Sequence, residues 1–71
     1  MPRKRLRSGA DIRAARKTLG LNLEDTAHLL GVAVASLSRW ERDLVQPSSL
    51  TLRGIEGMFD DYRNFKAKQR R

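Results

Sequence analysis

A chain of 71 residues has room for one small domain, and a domain of that size buries only about 60% of its unfolded surface, so it gains from a partner or ligand. Without cysteine it carries no disulfide framework and no thiolate metal site, and no apolar run approaches the ~20 residues of a membrane span. The net charge of +7 is concentrated at the ends: residues 1–7 carry +4 through Arg3, Lys4, Arg5 and Arg7, residues 63–71 carry +5, and residues 8–62 carry −2.

In chain order, the first expected element is a helix between Ser8 and Gly20. Ser8 and Asp11 form a capping-box-like pair, Gly20 is a C-terminal stop, and Ile12, Ala15 and Leu19 recur between them at helical spacing. A second helix starts at the N-cap Asn22, with Asp25 three residues on, turns Ala27 and Leu30 inward and ends at Gly31. A third runs from about Ala33 to Arg42, with Leu37 and Trp40 inward and Leu44 just beyond, before Pro47 in "QPSS" breaks the chain. From Ser48 another stripe follows: Leu52, Ile55, Met58, Phe59, Tyr62 and Phe65. Gly54 and Gly57 weaken it by about 1 kcal/mol each relative to alanine. That predicts two helices meeting there, or one helix with a close contact at the glycines. No strand pattern or repeat appears, so the class is all-α. The expected layout is a compact four- to five-helix domain over 8–62, a basic arm at 1–7 and a basic tail at 63–71.

Cationic ends on a mildly acidic body point to a polyanion partner, against the plainer reading of solubilising tails. Residues 22–43, a helix, a glycine turn and a helix, have the length and punctuation of a helix-turn-helix. In that motif the second helix enters the major groove of DNA, ~12 Å wide, and small residues at its front permit close approach. Phase turns Leu37 and Trp40 toward the body and leaves Val34, Ala35, Ser38 and Arg39 opposite, with Arg42 at the far edge. Arg39 can pair with guanine O6 and N7, Val34 and Ala35 can meet a thymine methyl, and Ser38 can bond a base edge or a phosphate.

The stretch "IRAARKTLGLNLEDTAHLLGVAVASLSRWERD" followed by "QPSSLTLRGI" resembles the Xre family of helix-turn-helix proteins, which includes the Cro and lambda-type phage repressors. The resemblance covers about residues 9–59. It implies a five-helix domain of lambda-repressor type, DNA binding and a homodimer on a palindromic operator. It further implies an ion pair between Arg16 and Glu41, base contacts from Val34, Ala35, Ser38 and Arg39, and phosphate contacts from Asn22, Ser36 and Arg42. Three positions depart from the family pattern: Leu23 for a phosphate-binding glutamine, Ala33 for a capping Ser or Thr, and Asp43 for glycine.

Because phosphate contacts supply most non-specific affinity, Arg3, Lys4, Arg5 and Arg7 of "PRKRLR" are expected to act as an arm along a groove or the backbone. The tail "KAKQRR" is either a second such element or a solvated end. His28, the sole histidine, has no second ligand near it and reads as a surface residue. No metal, cofactor or catalytic arrangement is expected, hence no enzyme. The stripe of Met58, Phe59, Tyr62 and Phe65 is either core or a dimer interface, and a chain this short favours the dimer. The expected function is a dimeric, cytoplasmic transcriptional repressor or autoregulator on double-stranded DNA. The alternative is an antitoxin-like module whose C-terminal stripe covers a toxin. RNA binding is the weakest reading, since no aromatic stacking platform is present.

Overall fold

The computed structural model describes residues 5–69, and these form four helices: α1 (Gly9–Thr18), α2 (Leu23–Leu30), α3 (Val34–Glu41) and α4 (Ser49–Gln69). Among the described residues there is no strand. The first three boundaries follow from local chemistry. Gly20 takes φ 72° just past α1, where the Leu21 N–H donates to the Arg16 carbonyl and the Gly20 N–H to that of Lys17. Asn22 caps α2 by accepting from the Asp25 N–H at 2.7 Å, and Gly31, φ 71°, closes it. α3 follows the N-cap Ala33, which makes no side-chain capping bond, and beyond its C-cap Arg42 stands Asp43, the one described non-glycine residue with positive φ, 60°. Asp is among the few residue types that enter this region at modest cost.

Ser8 does stand at the N-cap of α1, but its side chain makes no capping bond. Asp11 reaches back one residue further and accepts from the Arg7 N–H at 2.8 Å. Leu44, just past the left-handed residue Asp43, is exposed.

The stripe after Pro47 is one helix of 21 residues, so the described residues hold four helices and not the five that the resemblance implies. Ser48 caps it by accepting from the Thr51 N–H. Leu52 and Ile55 on one side of Gly57 and Phe59 on the other are all buried, so burial holds the helix through its two weak positions. A Cβ built at Gly54 or Gly57 would meet nothing within 4 Å, so the close contact expected there is absent within this chain. It occurs at Gly9, where a Cβ would overlap the Trp40 carbonyl and lie 3.2 Å from the Glu41 nitrogen.

The core is a single cluster of Leu6, Ile12, Ala15, Ala27, Leu30, Leu37, Leu52, Ile55 and Phe59, with Trp40 packed against its edge. Helix α3 packs on both α1 and α2, and α4 closes the other side. Two expectations change. Phe59, grouped with the surface stripe as a dimer residue, is 2% exposed and belongs to the chain's own core. Leu6, assigned to the arm, is also core, and its N–H donates to Glu56 Oε2 at 2.9 Å. The segment is therefore anchored by residue 6.

Candidate nucleic-acid interface

Helix α3 is held from behind by one polar clamp. Arg16 on α1 donates from Nε to Glu41 Oε2 at 2.8 Å and from Nη2 to Glu41 Oε1 at 2.9 Å. Its Nη1 donates to the Leu21 carbonyl at 2.9 Å, so one guanidinium ties α1, the turn before α2 and the last residue of α3. Both side chains are largely buried, 13% exposed for Arg16 and 4% for Glu41. A planar fork meeting a carboxylate with two bonds fixes orientation as well as distance, which a lysine does not do. Leu37, fully buried, supplies the apolar half of the attachment.

The opposite side of α3 is open. Val34, Ala35, Arg39 and Arg42 are exposed, and Ser36 and Ser38 are half-buried. Asn22 is exposed at the start of α2, although its side-chain oxygen is engaged by the Asp25 N–H. Trp40 is half-buried, packed on the core as its phase requires. What remains outward is small and apolar at the front of the helix and cationic at its end, with no acidic residue between Val34 and Trp40.

Near the start of the described chain, Arg5 and Arg7 are exposed, while Arg3 and Lys4 lie outside the described residues. Arg5, Arg7 and Arg53 line an open groove between this segment and the first turns of α4, together with Leu6, Ser49 and Glu56. Sequence reasoning missed Arg53 as a companion of the arm, because nothing local connects residues 5 and 53. It missed Gly9 for the same reason. Of the residues grouped as a dimer face, Met58 and Phe65 are exposed and Tyr62 is half-buried beside Leu19 and Thr18. His28 is exposed. No described group of three or more His, Cys, Asp or Glu residues is placed to hold a metal ion. No described helix is long and apolar enough to cross a membrane.

A profile of the helix-turn-helix family matches residues 12–60, most of the chain and all of the clamp and open face except the arm. The chain is an Xre-type helix-turn-helix protein. Similar helix-turn-helix proteins include one of Escherichia coli strain K12 whose name is "Uncharacterized HTH-type transcriptional regulator YiaG". It is 43% identical over 49 residues, which is 69% of this chain and 51% of YiaG. Proteins of the same name from E. coli O6:H1 and O157:H7 match to the same extent. The chain thus spans about half the length of the curated relatives it matches. No solved structure gives a significant match. Within the helix-turn-helix framework, α2 is the first helix of the motif and α3 the second.

Proposed function

We propose that this chain is a sequence-specific DNA-binding transcriptional regulator, acting in the cytoplasm as a dimeric repressor on a palindromic operator. The observation that carries the reading is the asymmetry of α3. One side is clamped by Arg16 and Leu37, and the other presents Val34, Ala35, Ser38 and Arg39 to the outside. A helix with its side chains is ~10–12 Å across, the width of the major groove, so such a face can slot in and meet base edges. Arg39 pairs with guanine, Val34 and Ala35 meet thymine methyl groups, and Ser38 bonds a base edge. Asn22, Ser36 and Arg42 fall where backbone phosphates flank the groove. Asn22 keeps its amide nitrogen for this purpose, since its oxygen is used in capping. Two copies side by side read half-sites about 34 Å apart, and occupancy of a promoter excludes polymerase.

Arg5 and Arg7, both exposed, add cations for the phosphate backbone on the side of the arm. Replacing Arg5 and Arg7 together by alanine should weaken binding to all duplexes alike and lower the salt slope by about 2, roughly 1 for each cation lost. This pair is a cleaner probe than deleting the whole arm, which also removes the core residue Leu6. A full slope in the double variant removes the arm from the interface.

Selection of bound sites from random duplex DNA tests the whole reading. The expected product is an inverted repeat with half-sites one helical turn apart and at least one G·C pair whose identity depends on Arg39. Recovery of unenriched sequence, with salt-dependent binding to all of it, contradicts sequence-specific reading.

A further inference from the structure

Helix α4 has a second face that this chain leaves uncovered. Its buried face carries Leu52, Ile55 and Phe59. Next to it, on the outside, run Leu50, Gly54, Met58, Asp61 and Phe65, spaced four, four, three and four residues apart. That is the spacing of a helix–helix contact. Leu50 is 78% exposed, Phe65 57% and Met58 43%. At Gly54 and Gly57 there is open space where a Cβ would stand. Glycine in mid-helix is unfavourable, and neither position has a turn or an internal contact to account for it.

From this face we infer that α4 pairs antiparallel with α4 of a second copy, Met58 of each chain seating against Gly57 and Gly54 of the other. The inference deepens the dimer of the preceding reading by giving its interface and register. With Met58 opposite Gly57, the remaining positions fall into complementary pairs. Leu50 faces Phe65 of the other copy, apolar on apolar. Gly54 faces Asp61 of the other copy, and the neighbouring Arg53 comes within reach of that carboxylate. Arg53 and Asp61 are both exposed, and Arg63 lies 3.5 Å from Asp60 on its own helix. The arrangement sets a large residue against a glycine at the centre, an ion pair on either side and apolar pairs at the ends. A parallel pairing has none of this: it sets glycine on glycine, Met58 on Met58 and Asp61 on Asp61, with like charges adjacent. A second copy is therefore the occupant, since one strip supplies both halves of every match.

The chain has no cysteine, so introduced thiols report the register without background. The variants are Gly54→Cys, Asp61→Cys and the double variant carrying both, each oxidised with the full chain at a concentration where the unmodified protein is dimeric by sedimentation. In the inferred register, position 54 meets position 61 of the other copy. Positions 54 and 54 lie about 10 Å apart along the axis, too far for a disulfide. The double variant should form a covalent dimer rapidly and each single variant should not. Single variants that cross-link as fast as the double would overturn the antiparallel register in favour of a parallel one. A dimeric protein in which none of the three cross-links would overturn this interface while leaving a dimeric regulator in place. A monomeric protein would overturn the pairing itself, with DNA reading by α3 still decided separately by site selection. Gly57→Leu is the companion probe. A Cβ there meets nothing within 4 Å in one chain, so helicity should be kept while self-association weakens about tenfold or more. Unchanged self-association would exclude Gly57 from the contact.

Discussion

Arg16→Ala should remove a large part of the domain's stability. Removing one member of a buried ion pair leaves the other charged and unpartnered, at a cost of about 3–5 kcal/mol. A domain of this length has roughly 4–10 kcal/mol in total. The loss should be at the upper end, because the Leu21 carbonyl is deprived of its guanidinium donor as well as Glu41. The thermal midpoint should fall by at least about 12 °C. Arg16→Lys should recover little of this, since an ammonium cannot make the two-pronged bond and reach Leu21 together. Joint replacement by Arg16→Met and Glu41→Leu should recover most of it, as no charge is then stranded. If Arg16→Ala melts like the parent, the clamp contributes nothing and α3 is held by apolar packing alone.

Gly9→Ala is the second large effect, and it arises from backbone. A methyl group there would occupy the space of the Trp40 carbonyl. Overpacking against side chains costs about 1–3 kcal/mol because they yield. Here the wall is the last turn of α3, so the start of α1 must move away and the clamp opens with it. We expect a loss above about 3 kcal/mol, visible as a lower urea midpoint with an unchanged slope. Gly9→Ser should behave the same, because any Cβ meets the same obstacle. A midpoint within error of the parent would mean that α1 and α3 slide past each other freely at this point.

The parts of the fold visible in the sequence are those set by nearby residues. Asn22, Gly20, Gly31 and Asp43 mark boundaries because capping and left-handed backbone each select a few residue types over a few positions. The open face of α3 was readable because Leu37 and Trp40 fix its phase. Features set by distant contacts left no such mark. Gly9 looks like any other glycine until Trp40 lies across it, and Leu6 is a lone apolar residue inside a run of arginines. Met58 and Phe59 are neighbours on one stripe, about 100° apart around the helix. Which of them turns inward depends on how α4 rolls against α1 and α2, and that is decided by shape across the whole core. The pairing of Arg16 with Glu41 came from the family resemblance, since separation by 25 residues gives no spacing to read.

Two changes on the outer face of α3 separate its contributions, and Arg39 is the sharper. Arg39→Ala should cost about 1–3 kcal/mol on the preferred site and level the preference at one base pair. Arg42→Ala should weaken preferred and scrambled sites equally.

The most direct measurement follows the backbone amide resonances of the labelled protein while a duplex carrying the selected site is added. The largest shifts should fall on Val34, Ala35, Ser38 and Arg39, followed by Asn22, Ser36 and Arg42, with Ile12 and Ala27 in the core hardly moving. If residues 34–39 stay in place while the main changes fall elsewhere on the surface, the outer face of α3 does not read DNA.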